Sequence, residues 1–214
     1  VHHPSKSVKD SDGKEVLFQN VRASRSNDNH LDTLFMAKIK PLGYATYWLQ
    51  RDSEAKAEKE VTAEQNFFME NEHIMVAFDR ETGYIKNLVN KENGVEYASE
   101  NFVAIPTVIS DEETDTWAHN VFKFHNVKGF MELQSIKRIE DGALRSVIRT
   151  VHKFNDSYLT QDFILAKGQK TLRVDCKAMW QEKFSLLKMS FAVGGEDEIS
   201  TYEIPGGFIK RPRN

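Results

Sequence analysis

Short runs in which apolar and polar residues alternate recur along this chain, and they limit its fold more than any other feature does. The runs 74–78, 172–180 and 187–193 place an apolar residue at every second position. Because successive side chains of a β-strand point to opposite faces, this period of two predicts strands with one buried face. The stretch 143–154 is rich in β-branched and aromatic residues and favours a further strand. The pattern predicts an all-β protein.

Turn sequences separate these runs at regular intervals. DRETG at 79–83 and NKENG at 90–94 each end in a glycine, and similar breaks occur at 140–142 and 166–169. Such sequences close hairpins, and Gly83 is predicted to take a positive φ in its turn. Many short strands broken by turns are typical of a β-sandwich or a barrel.

One segment departs from the alternating pattern and divides the chain. Residues 51–65 are rich in Glu, Lys and Ala, but they carry no periodic apolar face that a helix would bury. We interpret residues 53–65 as a linker. It joins a small β unit at 1–52 to a large β-sandwich domain at 66–214.

The composition excludes several classes of function. Lys and Arg number 29 against 32 Asp and Glu, so no basic excess favours nucleic acid as a partner. No stretch approaches the roughly 18 apolar residues of a membrane span, so no membrane partner is expected. The single cysteine, Cys176, excludes an internal disulfide framework. The alternation places both Cys176 and Trp180 on the core-facing side of a strand, which predicts packing roles for them.

No motif in the sequence supplies a complete active site. The seven histidines do not form the helical pattern of a zinc protease, and there is no nucleophile elbow. Acidic residues are candidates for glycoside hydrolysis by type only, since the chain contains 32 of them. His119 and His125 follow an acidic cluster at 111–115, but their spacing matches no metal site. We therefore interpret this cluster as a solvated acidic loop.

The segment 110–120 is distinctive because it combines carboxylates with Trp117, His119 and Asn120. Sugar-binding sites use this chemistry, since an aromatic face stacks on the sugar while carboxylate and amide groups bind its hydroxyls. The same composition fits a tryptophan that anchors a loop on the core. Composition alone leaves both interpretations open.

Five short motifs follow one another along the chain. They are PLGYATYWL at 41–49, ENE with FDRETGYI at 70–72 and 78–85, DTW at 115–117, WQEKFSLLKMSF at 180–191 and YEIPGGFIKRP at 202–212. In this order they resemble the C-terminal β region of the family 38 glycoside hydrolases, the α-mannosidases. Each motif alone is weak, but the ordered set extends over nearly the whole chain.

The resemblance implies both an architecture and a reaction. Members of the family place a catalytic α/β barrel first, then a three-helix bundle, and then β domains, the larger of which is a galactose mutarotase-like super-sandwich. They hydrolyse α-mannosides with retention, using an Asp nucleophile, an acid/base carboxylate and zinc bound by His and Asp. The portion with those groups has no counterpart in this sequence. We therefore expect an all-β chain with no catalytic residue, metal ligand or cofactor, whose super-sandwich is incomplete at the C-terminus.

The resemblance also implies site residues. In the family the DTW loop approaches the sugar pocket, so Trp117 and Asp115 are predicted to contact the substrate. His119 and Asn120 are further candidates in the same loop. Ala118 stands where bacterial relatives often have an acidic residue, which is a departure from the family's pattern.

Three hypotheses on function follow from the sequence. In the first, the chain is the non-catalytic C-terminal part of a retaining, zinc-dependent α-mannosidase, inactive alone. It would buttress the catalytic barrel and helical domain and lend a loop to the pocket for an α-mannoside. The second is a free-standing carbohydrate-binding module, and the third is an assembly sandwich that forms a homo-oligomer. The sequence of the two ends favours an excised fragment, and one cysteine without a signal peptide favours the bacterial cytoplasm.

Overall fold

The computed structural model describes residues 4–22, 31–51, 67–98, 103–110, 126–192 and 199–212. Its strands are β1 (Ser5–Lys9), β2 (Phe18–Arg22), β3 (Leu31–Phe35), β4 (Trp48–Arg51), β5 (Phe68–Glu70), β6 (Ile74–Phe78), β7 (Ile85–Asn90), β8 (Val95–Glu96), β9 (Val103–Ser110), β10 (Val127–Phe130), β11 (Glu132–Asp141), β12 (Arg145–Phe154), β13 (Ser157–Ala166), β14 (Arg173–Met179), β15 (Ser185–Phe191), β16 (Ile199–Ile204) and β17 (Gly207–Pro212). The described residues contain strands and turns but no helix, so the prediction of an all-β protein is confirmed.

Two antiparallel ribbons form the N-terminal part of the described chain. β1 pairs with β4, and β2 pairs with β3. Polar side chains join the ribbons, since Thr33 Oγ1 donates to Ser5 Oγ at 2.9 Å and Asn20 Nδ2 donates to the Ser5 carbonyl at 2.9 Å. Because Ser5 and Thr33 are buried, these hydrogen bonds satisfy groups that water does not reach.

Two larger sheets follow. The first sheet has the order β10-β9-β7-β6-β5, and in addition β15 pairs with β9 and β8 pairs with β7. The second sheet has the order β11-β12-β13-β14. β16 and β17 form a separate hairpin. All these pairings are antiparallel, as expected where short turns connect successive strands.

The core lies between the two sheets. Val76 and Phe78 of the first sheet join one buried apolar cluster with Ile148 and Phe163 of the second. The rings of Phe78 and Phe163 meet edge to face, with centroids 4.8 Å apart. Burial of each such side chain stabilises the fold by about 1.5–3 kcal/mol. The alternation at 74–78 therefore predicted the buried face of β6 correctly.

The prediction for the run 172–180 is wrong in one respect. The register pairs Val174 with Phe163 and Cys176 with Gln161, so the apolar set of β14 shares the inward face of the second sheet. All seven residues of β14, Cys176 among them, are nevertheless exposed. The reason is position, because β14 is the last strand of its sheet and the described part of the first sheet does not cover it. Cys176 is therefore not a core residue.

The turn at 79–84 is built around one carboxylate. Asp79 Oδ1 accepts hydrogen bonds from the Glu81 and Thr82 backbone nitrogens at 3.0 and 2.8 Å, and from Thr82 Oγ1 at 2.9 Å. Gly83 has φ = 70°, as predicted. Its position is also crowded, because a Cβ there would lie 2.6 Å from Leu133 Cδ1. Glycine is therefore required both by the backbone and by the packing.

A glutamine connects the N-terminal ribbons with the second sheet. Gln19 of β2 is buried, and its Oε1 accepts from the backbone nitrogens of Leu144 and Arg145 at 3.1 and 3.0 Å. Its Nε2 donates to the Arg145 carbonyl at 3.3 Å. Gly142 allows this approach, since a Cβ there would lie 2.0 Å from Gln19 Cδ. The side chain thus substitutes for a strand partner at the turn between β11 and β12.

Some predicted features lie outside the described residues. The linker at 53–65 is one of them, and the whole loop at 111–125 is another. The division at 52 and 66 stays a prediction. No helix in the described part of the chain is long and apolar enough to cross a membrane.

Candidate functional site

The four predicted substrate-contacting residues belong to the segment 111–125, outside the residues that the structure describes. These residues are Trp117, Asp115, His119 and Asn120. The structure does describe the two strands that the segment connects. β9 ends at Ser110, and β10 begins at Val127 and pairs with β9 through Ile109. Both ends of the predicted loop therefore start from one end of the first sheet.

The strand before the loop is held on both sides. Ile109 pairs with Val127 of β10 and with Leu186 of β15, and Ser110 pairs with Ser185. Ile109 itself is buried. A strand hydrogen-bonded on two sides is a rigid base for a binding loop, and rigid scaffolds commonly carry such loops.

Lys128 lies at the same end of the molecule, directly after the loop. Its Nζ donates to Ser185 Oγ at 3.3 Å and stands 5.9 Å from the centroid of the Phe154 ring. Gly129 lets Phe154 approach, since a Cβ there would lie 3.0 Å from its Cε2. A cation and an aromatic ring therefore lie at the end of the sheet where β9 ends and β10 begins.

Glu182 braces the adjoining turns. Its carboxylate accepts from Asn155 Nδ2 at 2.8 Å and from Ser157 Oγ at 3.0 Å. Ser157 Oγ in turn accepts from the Gln181 backbone nitrogen at 2.9 Å. Asn155 has φ = 48° in the tight turn between β12 and β13, a conformation that asparagine tolerates well. Glu182 therefore ties the segment after β14 to this hairpin.

Trp180 is half-buried and packs against a second apolar cluster. The buried members of that cluster are Val108, Met131 and Leu159. This contact agrees with the prediction that Trp180 serves packing. The cluster lies beneath the end of the sandwich from which the loop departs, so Trp180 supports that end.

A buried histidine lies farther inside the sandwich. His152 Nε2 is 2.8 Å from the Thr82 carbonyl, and its ring stacks on Tyr84 with centroids 5.6 Å apart. Burial lowers the pKa of His152, although the Thr82 carbonyl opposes this effect. The ring is therefore neutral near pH 7, with the proton on Nε2 that the carbonyl accepts. Tyr84 donates to the Met131 carbonyl at 3.2 Å, and burial raises its pKa.

A groove lies at the beginning of β9, whereas the predicted loop follows the end of this strand. Its volume is about 720 Å³, and its lining is mostly apolar. The residues that line it include Ile85, Leu88, Leu172, Val174, Met189 and Phe191. Ala104 and Phe191 mark this end of β9 and β15, whereas Ile109 and Ser185 mark the end that carries the loop. The groove and the predicted loop are therefore two separate features.

Gln161 is the unusual polar residue of the groove. It is 1% exposed, and its Nε2 has no hydrogen-bond partner. Strand pairing places the Cys176 thiol beside this amide. Partial burial raises the pKa of Cys176 and the interaction with Gln161 opposes this effect, while the carboxylates of Asp175 and Asp162 raise the pKa further, so the thiol is protonated near pH 7.

Comparison with known proteins assigns the chain to a family. Residues 69–214 match the C-terminal domain of family 38 of the glycosyl hydrolases, which is more than half of the chain. The chain belongs to this family. None of the curated proteins compared with it matches.

The fold of this family 38 domain is similar to that of an alpha-mannosidase from Enterococcus faecalis V583. The TM-score is 0.65 at 15% sequence identity. The similarity covers 100% of the chain but 29% of the enterococcal protein, so the chain spans less than a third of that protein's length. Because the sequence identity is 15%, this comparison shows a similar fold alone.

Two of the motifs that resemble family 38, at 70–85 and 180–191, contain residues with structural roles. Asn71 Nδ2 donates to the Ala166 and Gln169 carbonyls at 2.8 Å each, while its Oδ1 accepts from the His73 and Ile74 backbone nitrogens at 2.8 and 2.9 Å. It thereby links the turn before β6 to the turn after β13. Asp79 accepts the hydrogen bonds of its turn, Trp180 packs on an apolar cluster, and Glu182 binds the hairpin between β12 and β13.

Asp79 illustrates the electrostatic side of these roles. Burial alone would raise its pKa, but the hydrogen bonds from Thr82 and Glu81 together lower it. The carboxylate therefore stays ionised as the acceptor of the turn.

Among the described residues, no three His, Cys, Asp or Glu side chains come together as ligands for a metal ion.

Sequence reasoning missed the features that depend on long-range pairing. Gln161 occupies an inward position in the alternating run of β13, and only the pairing of β13 with β14 brings it beside Cys176. His152 and Tyr84 are 68 positions apart, and the sandwich brings their rings together. A polar residue at an apolar position of β13 was the one local signal for Gln161.

Proposed function

We propose that this chain is the non-catalytic C-terminal part of a retaining, zinc-dependent α-mannosidase. In this proposal it buttresses the catalytic barrel and the helical domain, and it lends the loop at 111–125 to the sugar pocket. Trp117 and Asp115 contact the α-mannoside, and His119 and Asn120 border the same pocket. Zinc belongs to the catalytic domain.

The family match over residues 69–214 is the observation that carries the proposal. Two structural observations support it. The loop departs from β9, which is hydrogen-bonded on both sides at Ile109. In the motifs at 70–85 and 180–191, Asn71, Asp79 and Glu182 serve turns, whereas the motif DTW at 115–117 belongs to the loop.

The chemistry of glycoside hydrolysis explains the use of such a loop. A retaining enzyme holds two carboxylates about 5 Å apart around an oxocarbenium-like transition state. A tryptophan face stacks on the C–H groups of the sugar, and carboxylate and amide groups orient its hydroxyls. Positioning of this kind lowers the barrier without transferring any proton or forming any bond.

The activity of the isolated chain tests the proposal. The purified 214-residue protein is incubated with zinc and an aryl α-mannoside, and release of the phenol is followed. We expect no release above the zinc-only blank, because the bond-breaking groups belong to the catalytic barrel. Turnover that scales with protein concentration and disappears on heat unfolding would overturn the proposal.

Titration with mannose separates the proposal from the alternative of a free-standing carbohydrate-binding module. Tryptophan fluorescence reports binding, since Trp117 is one of three tryptophans in the chain. We expect no saturable change below millimolar mannose, because a single loop provides only one wall of a pocket. Submicromolar binding that disappears in the Trp117→Ala variant would favour the binding module instead.

A further inference from the structure

The turn between β7 and β8 contains the single Asn-Gly sequence of the chain. Asn93 is followed by Gly94, and none of the other asparagines precedes a glycine. Both residues are exposed, and nothing lies within 4 Å of the position where a Cβ of Gly94 would be. The backbone nitrogen that follows an asparagine can attack its side-chain carboxamide, and glycine obstructs this attack least because it has no Cβ.

A backbone hydrogen bond prepares the Asn93 carboxamide for such an attack. Asn93 Oδ1 accepts from the Val95 backbone nitrogen at 3.0 Å. This contact folds the side chain forward along the turn, toward the Gly94 nitrogen. Oδ1 is also the atom that gains negative charge when a nucleophile adds to Cγ. A backbone N–H that already donates to this atom stabilises the developing charge.

A second hydrogen bond of the turn opposes the reaction. The Gly94 nitrogen donates to the Asn90 carbonyl at 2.8 Å, so this bond must open before the nitrogen can attack. The opening is local, because Asn93, Gly94 and Val95 are all exposed and none of them belongs to the two apolar clusters. Openings that expose no core require little free energy and recur in the native protein. The turn therefore slows the attack without preventing it.

Asn90 provides a comparison within the same turn. Its Oδ1 accepts from the Glu92 backbone nitrogen at 2.9 Å, which is the contact that Asn93 makes with Val95. The residue after Asn90 is Lys91, whose side chain obstructs the approach of its own nitrogen. The two asparagines thus share the side-chain hydrogen bond and differ in the residue that must attack.

We propose that Asn93 is a site of spontaneous deamidation in the folded protein. The Gly94 nitrogen loses its proton and bonds to Asn93 Cγ, the Cγ–Nδ2 bond breaks, and ammonia leaves. The product is a succinimide ring that joins the two residues. Water then opens the ring at either carbonyl. Addition at Cγ yields aspartate, and addition at the main-chain carbonyl yields isoaspartate, in which the backbone runs through Cβ.

The modification changes both the charge and the length of the turn. Either product adds one carboxylate beside Glu92, whose Oε1 pairs with His73 Nδ1 at 2.9 Å and with Lys170 Nζ at 2.6 Å. Isoaspartate also adds one carbon to the backbone between β7 and β8. The pairing of the short strand β8 with Val89 and Asn90 of β7 depends on the length of this turn. We expect isoaspartate to disturb this pairing and aspartate to preserve it.

Peptide mapping of the aged protein tests the proposal. The purified 214-residue protein is incubated at about pH 8.5 and 37 °C, digested at acidic pH and analysed by mass spectrometry, and a methyltransferase specific for isoaspartate labels that product. We expect deamidation at Asn93 to be at least about tenfold faster than at Asn90, because glycine leaves the attacking nitrogen open. Isoaspartate is expected among the products, since direct hydrolysis of the side chain yields aspartate alone.

Gly94→Ala is the matched variant. Its Cβ obstructs the attacking nitrogen, whereas Asn93 and the Val95 nitrogen that donates to it are unchanged. We expect the ratio of deamidation at Asn93 to that at Asn90 to fall at least about tenfold. The ratio is the readout because a turn that the substitution opened would expose both asparagines alike, and circular dichroism verifies that the variant is folded.

Three results would overturn the proposal. The first is equal rates at Asn93 and Asn90 in the wild type, or a ratio that Gly94→Ala leaves unchanged. The second is aspartate at position 93 without isoaspartate, because the succinimide would then take no part. The third is deamidation that occurs in urea but not in the native protein, because the folded turn would then block the attack.

Discussion

Replacing Gly83 with alanine tests how the turn at 79–84 is held against the second sheet. The change has two separate costs. Alanine at φ = 70° is destabilised by about 1–2 kcal/mol, because its Cβ clashes with its own backbone. The new methyl group also meets Leu133 Cδ1 at 2.6 Å and His152 Nε2 at 3.2 Å.

The second cost is set by His152, since Leu133 Cδ1 is the end of a half-buried side chain that a small rotation moves aside. His152 is fixed by its contact with the Thr82 carbonyl at 2.8 Å and by stacking on Tyr84. Overpacking in such surroundings costs about 1–3 kcal/mol. The expected loss of unfolding free energy for Gly83→Ala is therefore about 2–5 kcal/mol, the sum of the two costs.

Gly94→Ala is a close control. Gly94 also has φ = 70°, but nothing lies within 4 Å of the position where its Cβ would be. It should lose only the backbone contribution, about 1–2 kcal/mol. Urea unfolding followed by far-UV circular dichroism gives both values. Equal losses for the two variants would refute the reasoning that Gly83 is required by packing.

Three further predictions concern the interior and its hydrogen bonds. Because burial lowers the pKa of His152, the unfolded chain binds a proton first as the pH falls. The contribution of His152 to the unfolding free energy is thus complete above about pH 6.5 and decreases below that pH. Urea titrations at pH 7.5 and 5.5 should show a decrease in unfolding free energy for the wild type and a smaller decrease for His152→Gln. Equal decreases in the two proteins would contradict a buried neutral ring. Gln19→Ala should cost about 1–3 kcal/mol by thermal unfolding, since the backbone nitrogens of Leu144 and Arg145 lose their acceptor; an unchanged midpoint would exclude that role. Tyr84→Phe should cost about 0.5–1.5 kcal/mol in the same assay, through the lost bond to the Met131 carbonyl, and a stabilised variant would show that this bond does not contribute.

The local pattern of the sequence was sufficient for most of the architecture. Alternation identified the strand at 74–78 and its buried face, and the glycine of DRETG indicated the positive φ at position 83. Both features depend on near neighbours in sequence. For β14 the same rule gave the correct face but the wrong burial, because exposure depends on whether another sheet covers the strand.

Features that arise from tertiary packing were not predictable in this way. Ala104 is buried at φ = 60°, where β9 bulges opposite the step from Ser190 to Phe191. No local signal marks an alanine for that conformation, which is uncommon for residues other than glycine. The contact of Gln19 with Leu144 likewise joins residues 125 positions apart. For the candidate site, the sequence and the family resemblance supplied its residues, and the structure supplies the strands that hold its loop.

The kinetics of a tryptophan variant test the central proposal most directly. Trp117→Ala is introduced into the full-length protein that carries this domain, and kcat/KM is measured on an aryl α-mannoside. Trp48→Ala serves as the control, because Trp48 is an exposed tryptophan of β4 in the N-terminal ribbons. If one pocket contact is worth about 1–2 kcal/mol, kcat/KM should fall on the order of tenfold for Trp117→Ala and stay unchanged for Trp48→Ala. Unchanged kinetics for Trp117→Ala, with the protein folded, would contradict the proposal that this domain lends its loop to the sugar pocket.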